Sequence, residues 1–113
     1  MSRQDKLREV LKEEVSDIIH NELNDPRLGF VTITNVQVTH DLRYAKILYS
    51  VLGKDRERKN TKAALDSGLG FIRKLIAQRI RLRFTPEIAF KEDRSGEYSI
   101  KIQKILDDIK KEK

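Results

Sequence analysis

The stretch LDSGLGFIRKLI, residues 65–76, decides how the middle of the chain folds, because it combines the apolar spacing of a helix with two glycines one residue apart. Gly68 and Gly70 would each cost a continuous helix about 1 kcal/mol relative to alanine. Glycine also permits the positive φ of a tight turn and a close approach of the backbone. The sequence therefore predicts a helix that breaks at the glycine pair and a second helix that begins at Phe71 and ends at Thr85.

Two phosphate-binding motifs fail at this position. The dinucleotide-binding fingerprint needs a preceding strand and a third glycine, but a helix precedes the pair and Arg73 occupies the third position. The NTP-binding loop needs lysine followed by serine or threonine after a longer glycine frame. A plain corner between two helices explains the glycines. A functional alternative adds that Arg73 and Lys74, beside free amides at the start of a second helix, would bind a phosphate.

The residues before this stretch predict a helix followed by a hairpin. Apolar residues recur every three or four positions between residues 3 and 24, which is the spacing of an amphipathic helix, and Pro26 ends it. Two alternating stretches follow, at about 30–39 and 44–51, and they predict an antiparallel pair of strands. The alternation slips by one residue at Asn35, which indicates a β-bulge or a bend.

The rest of the chain completes a two-layer fold. Residues 53–59 are expected to form a charged connection, with Asn60 or Thr61 as the N-cap of the broken helix. A third short strand is predicted at 87–91. Because the helices between the second and third strands are long enough for a crossover, the third strand can join the same sheet. The sequence therefore predicts an α+β sandwich with a three-stranded sheet.

Length and composition bear on the domain organisation. A chain of 113 residues can bury one core, so residues 1–113 are expected to form a single domain. From about residue 92 to 113 we expect a C-terminal loop, a final helix and a frayed basic tail.

Positive charge is concentrated in the middle of the chain. The net charge is +6, residues 43–62 hold seven bases against two acids, and residues 70–86 hold five bases and no acid. This distribution indicates a polyanionic partner. On a helical wheel Arg73, Lys74 and Arg81 fall in one arc. Arg79 falls on the apolar side, where we expect its stem to pack along the core or its guanidinium to pair with a carboxylate.

Several classes of site find no support in the sequence. The chain has no cysteine, and His20 and His40 lack metal-ligand spacing, so no metal site or cofactor is predicted. Either histidine is more typical of an ordinary surface side chain than of a catalytic base. We found neither an apolar run of membrane-spanning length nor an N-terminal signal, which favours a cytoplasmic protein without a membrane partner.

Aromatic residues are few, and neither predicted strand of the hairpin carries the signature of an RNA-recognition motif. Stacking of bases on the sheet is therefore not expected. Recognition of nucleic acid by its backbone and shape fits the composition better.

Six short motifs, spread over about residues 3–100, resemble the bacterial ribosome-binding factor A family. They are DPRLG at 25–29, VT at 31–32, DL at 41–42 with AK at 45–46, GFIR at 70–73, RLR at 81–83, and PEI at 86–88 with Phe90.

The resemblance implies a type II KH-like fold of order α-β-β-α-(kink)-α-β plus a C-terminal helix, with the kink at residues 68–70. This chain has Gly68 where the family usually has alanine, so Gly68→Ala is expected to be tolerated and Gly70→Val is not. The implied function is non-catalytic, with no small-molecule substrate. The factor would bind the free small ribosomal subunit and its rRNA, assist late maturation and rRNA processing, and support adaptation to cold.

The implied partners are small-subunit rRNA and, next to it, ribosomal proteins and assembly GTPases, with the factor acting as a monomer. The expected RNA-binding residues are Arg3, Lys6, Arg27, Arg43, Lys46, Ser67, Gly68, Gly70, Arg73, Lys74, Arg81 and Arg83.

Two other functions stay open at this point. A general KH-type binder of single-stranded RNA would use the same positive surface, and it would bind short unstructured RNA as well as it binds subunits. An undetected hydrolase would depend on His20 or His40.

Overall fold

A computed structural model describes residues 2–94, together with 104, 105 and 108. Within residues 2–94 the structure has two α-helices and three strands, in the order α1 (Arg3–Asp17), β1 (Phe30–Val38), β2 (Tyr44–Leu52), α2 (Asp55–Arg79) and β3 (Glu87–Glu92). The predicted α+β class with a three-stranded sheet is confirmed. The predicted C-terminal helix and tail lie almost wholly outside the described residues.

Helix α1 begins at a reciprocal cap. The Ser2 hydroxyl accepts from the Asp5 amide at 3.1 Å, and the Asp5 carboxylate accepts from the Ser2 amide at 3.3 Å. Two amides that have no partner within the helix are satisfied in this way. The helix continues into a single π-helical turn, Ile18–Glu22, which closes where the Leu23 amide donates to the Ile18 carbonyl at 2.8 Å. The predicted first helix is therefore confirmed, with a wider last turn than expected.

Strands β1 and β2 form the predicted antiparallel hairpin. The register shifts between Ile33 and Asn35, which confirms the bulge at the position where the alternation slips. Strand β3 pairs with β2 in parallel, so the sheet is mixed and its order is β1-β2-β3. Because a parallel connection requires a long crossover, α2 carries the chain across one face of the sheet.

Strand β1 lies at an edge of this sheet, and side chains from α1 and the π-helical turn reach two of its carbonyls. The Gln4 side-chain amide donates to the Val38 carbonyl at 3.0 Å. His20 Nε2 lies 2.8 Å from the Val31 carbonyl, to which it donates in the tautomer that is protonated at Nε2. Since β2 occupies the other side of β1, these bonds lie along the free edge.

Helix α2 begins earlier than predicted. It starts at Asp55, where the Lys54 amide donates to the Glu57 carboxylate at 2.9 Å. Asp55 and Glu57 in the first turn also complement the positive end of the helix dipole. The expected charged connection at 53–59 and the N-cap at Asn60 or Thr61 are therefore wrong. Thr61 is instead fully buried, and its hydroxyl accepts from the Gly29 amide at 3.0 Å.

The predicted break at the glycine pair is also wrong, because α2 is one helix of 25 residues. Among the glycines of residues 2–94 a positive φ occurs at Gly53, in the connection between β2 and α2, and not at Gly68 or Gly70. Leu65, Ile72 and Ile76 of this helix are fully buried. Burying each contributes about 1.5–3 kcal/mol, which outweighs about 1 kcal/mol for each glycine.

The two glycines differ in their surroundings. A β-carbon added to Gly68 would lie 2.7 Å from Leu23 Cδ1, so this glycine leaves room for the leucine that follows the π-helical turn. Gly70 is exposed, and a β-carbon there would meet nothing within 4 Å. The expectation that Gly70→Val is excluded therefore has no steric basis in the structure.

Helix α2 also ends earlier than predicted, at Arg79 rather than Thr85. Ile80 is extended, with φ −113° and ψ 121°. The residues that follow read Ile80-Arg81-Leu82-Arg83, which alternates apolar and basic with the period of an extended chain. Arg81 and Arg83 are therefore not on the helix, and the predicted basic stripe does not include Arg81.

The core lies between the helices and one face of the sheet. Its buried apolar residues are Leu7, Leu11, Val15, Ile18, Ile19, Val31, Ile33, Val36, Ala45, Ile47, Tyr49, Leu65, Ile72, Ile76 and Ile88. On the other face Phe30 and Leu52, partners in the β1–β2 register, are exposed. The strands therefore alternate between a buried face and an open one.

Gly70→Ala should raise the free energy of unfolding by about 1 kcal/mol, because alanine favours a helix interior and the site has room for its methyl group. Urea unfolding of the two proteins measures the difference. Gly68→Ala is the matched control and should gain less, because Leu23 has to move. Gly70→Val should be close to neutral. A Gly70→Ala protein less stable than the parent would contradict a continuous α2.

Candidate nucleic-acid interface

A cleft of about 590 Å³ lies where the start of α1, the β1–β2 turn and the segment after α2 meet. Among the residues that the structure describes, five cationic side chains and one acid line it. We call it the basic cleft, and its cations are Arg3, Lys6, Arg43, Arg81 and Arg83. All five are exposed, and each belongs to the predicted RNA-binding set. The structure thus brings together residues that are up to 80 positions apart in the chain.

The basic cleft also has apolar walls. Leu7 and Val10 of α1 line it together with Leu42, Ile80 and Leu82. Phe84 lies at the cleft with 61% of its surface exposed. The guanidinium groups of Arg43 and Arg83 lie over its ring, 5.9 and 5.6 Å from the centroid. Such distances are typical of cation–π contacts.

The β1–β2 turn holds Arg43 through a set of short polar contacts. The Thr39 hydroxyl donates to Asp41 Oδ1 at 2.7 Å, and the Arg43 amide donates to the same oxygen at 3.1 Å. These bonds keep the pKa of Asp41 below its usual value, the Thr39 hydroxyl being the larger cause. Leu42 takes a φ of 63°, which a non-glycine residue adopts only when its surroundings hold it there.

The one acid of the basic cleft therefore has an internal role. Asp41 Oδ1 accepts two hydrogen bonds within the turn, and no other acid is found among the described residues that line the basic cleft. Charges of one sign around a low-dielectric wall attract an anion more strongly than the same charges spread over a surface. The arrangement fits phosphate groups on a chain that passes between three segments of the protein.

Arg27 and Ser67 meet at a second place, away from the basic cleft. Arg27 donates to both carboxylate oxygens of Asp25, from Nε at 3.1 Å and from Nη2 at 2.7 Å, and Nη2 also donates to the Ser67 hydroxyl at 3.1 Å. The arginine lowers the pKa of Asp25. Since its charge is paired with a carboxylate, Arg27 positions the chain after the first helix and has less charge to offer an RNA.

The remaining predicted positions lie apart from the cleft. Gly68 is buried beneath Leu23, and Gly70 is exposed on α2. Because α2 is continuous, the predicted phosphate site at the free amides of a second helix does not form. Lys74 is exposed on α2, and Lys46 is exposed on β2 opposite Gln37 of β1.

Arg73 is partly committed to a neighbouring strand. Its Nη2 lies 3.3 Å from Glu87 Oε1 at the start of β3, and its Nε is buried and has no hydrogen-bond partner in the part of the chain that the structure describes. An arginine with a buried, unpaired nitrogen and one long ion pair has donor capacity left over. Of the predicted stripe, Arg73 and Lys74 stay together on α2, whereas Arg81 belongs to the basic cleft.

Arg79 is a structural residue, as predicted. Its Nη1 lies 2.6 Å from Asp17 and 3.1 Å from Glu14, and its Nη2 lies 3.5 Å from Glu22. One guanidinium thus joins α2 to the end of α1 and the π-helical turn. The hydrogen bond from Arg79 is the largest cause that lowers the pKa of Asp17, followed by the bond from Asn21.

The structure gives no support to a catalytic, metal-binding or membrane-spanning role for the described residues. His20 Nε2 is engaged with the Val31 carbonyl, which gives that side chain a structural role. Within residues 2–94, 104, 105 and 108, no group of three or more acidic or histidine side chains could hold a metal ion. Over the same residues no helix has the length and apolar content needed to cross a membrane.

Comparison with known proteins decides the family. The family model described as ribosome-binding factor A matches residues 3–106. The chain belongs to the ribosome-binding factor A family. It is 47% identical over 107 residues to ribosome-binding factor A of Halothermothrix orenii, covering 95% of this chain and 88% of that protein. The resemblance of the six motifs to the family is therefore confirmed.

Structures of other proteins share this fold. The solution NMR structure of a Thermotoga maritima protein, a putative ribosome-binding factor A, matches with a TM-score of 0.72 and 38% identity, over 82% of this chain and 89% of that one. A homology model of Thermus thermophilus ribosome-binding factor A, fitted into the cryo-electron microscopy map of a 30S complex, matches with a TM-score of 0.67 and 24% identity, over 79% of this chain and 93% of that one.

The sequence reasoning missed Phe84. A signal for it exists, because the alternation after Arg79 places Ile80 and Leu82 on one side of an extended segment and Arg81 and Arg83 on the other. Treating the segment as helix hid this pattern. An extended interpretation would have placed Phe84 on the same side as Ile80 and Leu82, next in sequence to Arg83.

Arg79→Met should destabilise the protein at pH 7, because Asp17, Glu14 and Glu22 would then face one another without their shared cation. The pKa of Asp17 is lower in the folded state, so the stabilisation is fully present above about pH 4 and is lost as the pH falls through the lowered value. The urea midpoint of Arg79→Met should therefore lie further below the parent's midpoint at pH 7 than at pH 3.

Lys74→Met is the control, since it removes one positive charge from an exposed position of the same helix. Its urea midpoint should stay close to the parent's at both pH values. A deficit of Arg79→Met that is equal at pH 7 and pH 3 would show that lost packing, rather than the ion pairs, explains it.

Proposed function

We propose that this protein binds the free small ribosomal subunit through its rRNA, with the basic cleft as the main contact. The single observation that carries the proposal is the convergence of five exposed cations from three separate segments on one cleft. Family membership and the Thermus relative, placed in a 30S complex, support it. An rRNA backbone presents the phosphate groups that lysine and arginine side chains contact.

The cleft works by charge and position rather than by chemistry. Each phosphate that a lysine or arginine neutralises releases counterions, and this contribution depends on salt and not on base sequence. The polar contacts of the β1–β2 turn fix the backbone at Arg43 before binding. A site built in advance loses less entropy on association. Its action is therefore binding without catalysis.

A role in assembly of the small subunit follows from reversible binding of this protein to rRNA. A factor held by phosphate contacts can cover immature rRNA, hold or remodel it, and leave when the mature surface no longer presents the same path. We extend the proposal to late small-subunit maturation, including rRNA processing, and to growth in the cold. It places a monomeric factor in the cytoplasm, next to ribosomal proteins and assembly GTPases.

Binding to purified small subunits should weaken strongly with salt. If the five cations each contact one phosphate, affinity should fall roughly 100- to 500-fold between 50 and 200 mM salt, from a slope of about 0.7–0.9 per contact. The triple variant Arg3→Ala, Lys6→Ala and Arg81→Ala should bind at least about tenfold more weakly at low salt, and its salt slope should fall by roughly 2 to 2.7. Co-sedimentation with free subunits measures both.

The matched control replaces three exposed cations outside the cleft, Lys12, Arg56 and Lys59, by alanine. It has the same net charge as the triple variant, so a loss caused by net charge alone would be equal in the two proteins. Equal losses would contradict the cleft assignment. Equal affinity of the parent for short unstructured RNA and for subunits would instead favour a general binder of single-stranded RNA.

A further inference from the structure

We propose that the basic cleft receives one unpaired nucleobase, which stacks beside Phe84 while the surrounding cations hold the phosphates on either side of it. The inference rests on the proposed function, because it takes the bound polyanion to be RNA. It goes further because it assigns a single-stranded ligand to the cleft. Binding would then depend on a nucleobase as well as on phosphate groups.

The first observation is the position of Phe84. A phosphate site needs cations and amides, but this cleft is also lined by an aromatic residue, Phe84, that is 61% exposed. The contact of such a ring with water is unfavourable in free energy, and a ligand that covers the ring removes this contact. Stacking against the face of a base is the contact that aromatic side chains make most often with single-stranded nucleic acid.

The second observation is the pair of arginines at the ring. Arg43 and Arg83 approach the Phe84 centroid at 5.9 and 5.6 Å. A guanidinium plane can itself stack on a base, and it can donate to a phosphate or to a base edge at the same time. Ring and guanidinium groups together therefore form a surface that suits the flat face of a base with its phosphate nearby.

The third observation is the shape of the cleft. Its volume of about 590 Å³ lies within the range of pockets that hold a small organic ligand. Leu42 and Leu82 provide apolar walls, which a hydrated phosphate would not need. A base that remains paired and stacked inside a duplex cannot enter such a cleft, because its faces are already covered by its neighbours. The ligand is therefore an unpaired nucleotide.

A protein partner fits the same cleft less well. An apolar peptide would be favoured by Phe84 and the leucines, but it gains nothing from five cations around one internally bonded acid. An acidic peptide would satisfy the cations and leave the aromatic ring without a flat partner. RNA satisfies both the charge and the ring.

Tryptophan fluorescence tests the stacking directly, because the chain contains no tryptophan and Phe84→Trp introduces a single probe. The probes are a short oligouridine, the same strand paired with oligoadenosine, and an abasic ribose-phosphate oligomer of equal length. We expect strong quenching by the single strand and weak quenching by the duplex and the abasic oligomer. Phe30→Trp, on the open face of the sheet, should not show this difference.

Affinity provides the second measurement. Phe84→Leu keeps an apolar side chain and every cation, so its salt slope should equal that of the parent. Its affinity for oligouridine should fall roughly fivefold to a hundredfold, the range found when an aromatic side chain that stacks on one base is removed. The abasic oligomer should bind the parent and Phe84→Leu equally.

Two outcomes overturn the inference. Equal quenching by the oligouridine and the abasic oligomer, with unchanged affinity of Phe84→Leu, would show that only phosphates are bound. Loss of subunit binding by Phe84→Leu without loss of oligouridine binding would show that the ring contacts a ribosomal protein. In the first case the Arg3, Lys6 and Arg81 variant still tests subunit binding by itself, so the inference and the proposed function can fail separately.

Discussion

The packing of one face of α2 on the sheet is the interaction on which the rest of the structure depends. Leu65, Ile72 and Ile76 are completely buried along this helix, and β3 can join β2 in parallel only because α2 crosses the sheet between them. The apolar burial is worth several kcal/mol, more than two glycines can cost. The helix therefore stays continuous to Arg79, and the non-helical segment that follows it brings Arg81, Arg83 and Phe84 to the start of α1.

The sequence alone predicts most of the fold, and it fails where local preference and tertiary packing disagree. The strands, the bulge at Asn35 and the first helix follow from hydrophobic period, because each buries one face in a simple pattern. The absence of a break at Gly68 could not be judged locally, since what decides it is the burial of Leu65, Ile72 and Ile76 against the rest of the core. The early start of α2 at Asp55 depends on the Glu57 carboxylate, and charge-rich sequence is easily read as a loop.

The candidate site was predicted in composition but not in arrangement. Charge and family resemblance named Arg3, Lys6 and Arg43, yet neither shows that they meet Arg81 and Arg83 at one cleft. The structure also divides the basic residues by role. Arg79 and Arg27 are held by carboxylates and stabilise the fold, whereas the cations of the cleft surround an acid that is already bonded within its turn. Net charge therefore overstates how much of the positive surface a polyanion can use.

The bonds that Gln4 and His20 make to β1 affect the tendency of this protein to aggregate through its edge strand. An edge strand offers its unpaired carbonyls to any extended segment that approaches, and such addition can join molecules into aggregates. Here the Val31 and Val38 carbonyls already have donors from the protein's own side chains. A second strand would have to displace both before it could pair along the full length of β1, so this edge resists recruitment into a larger sheet.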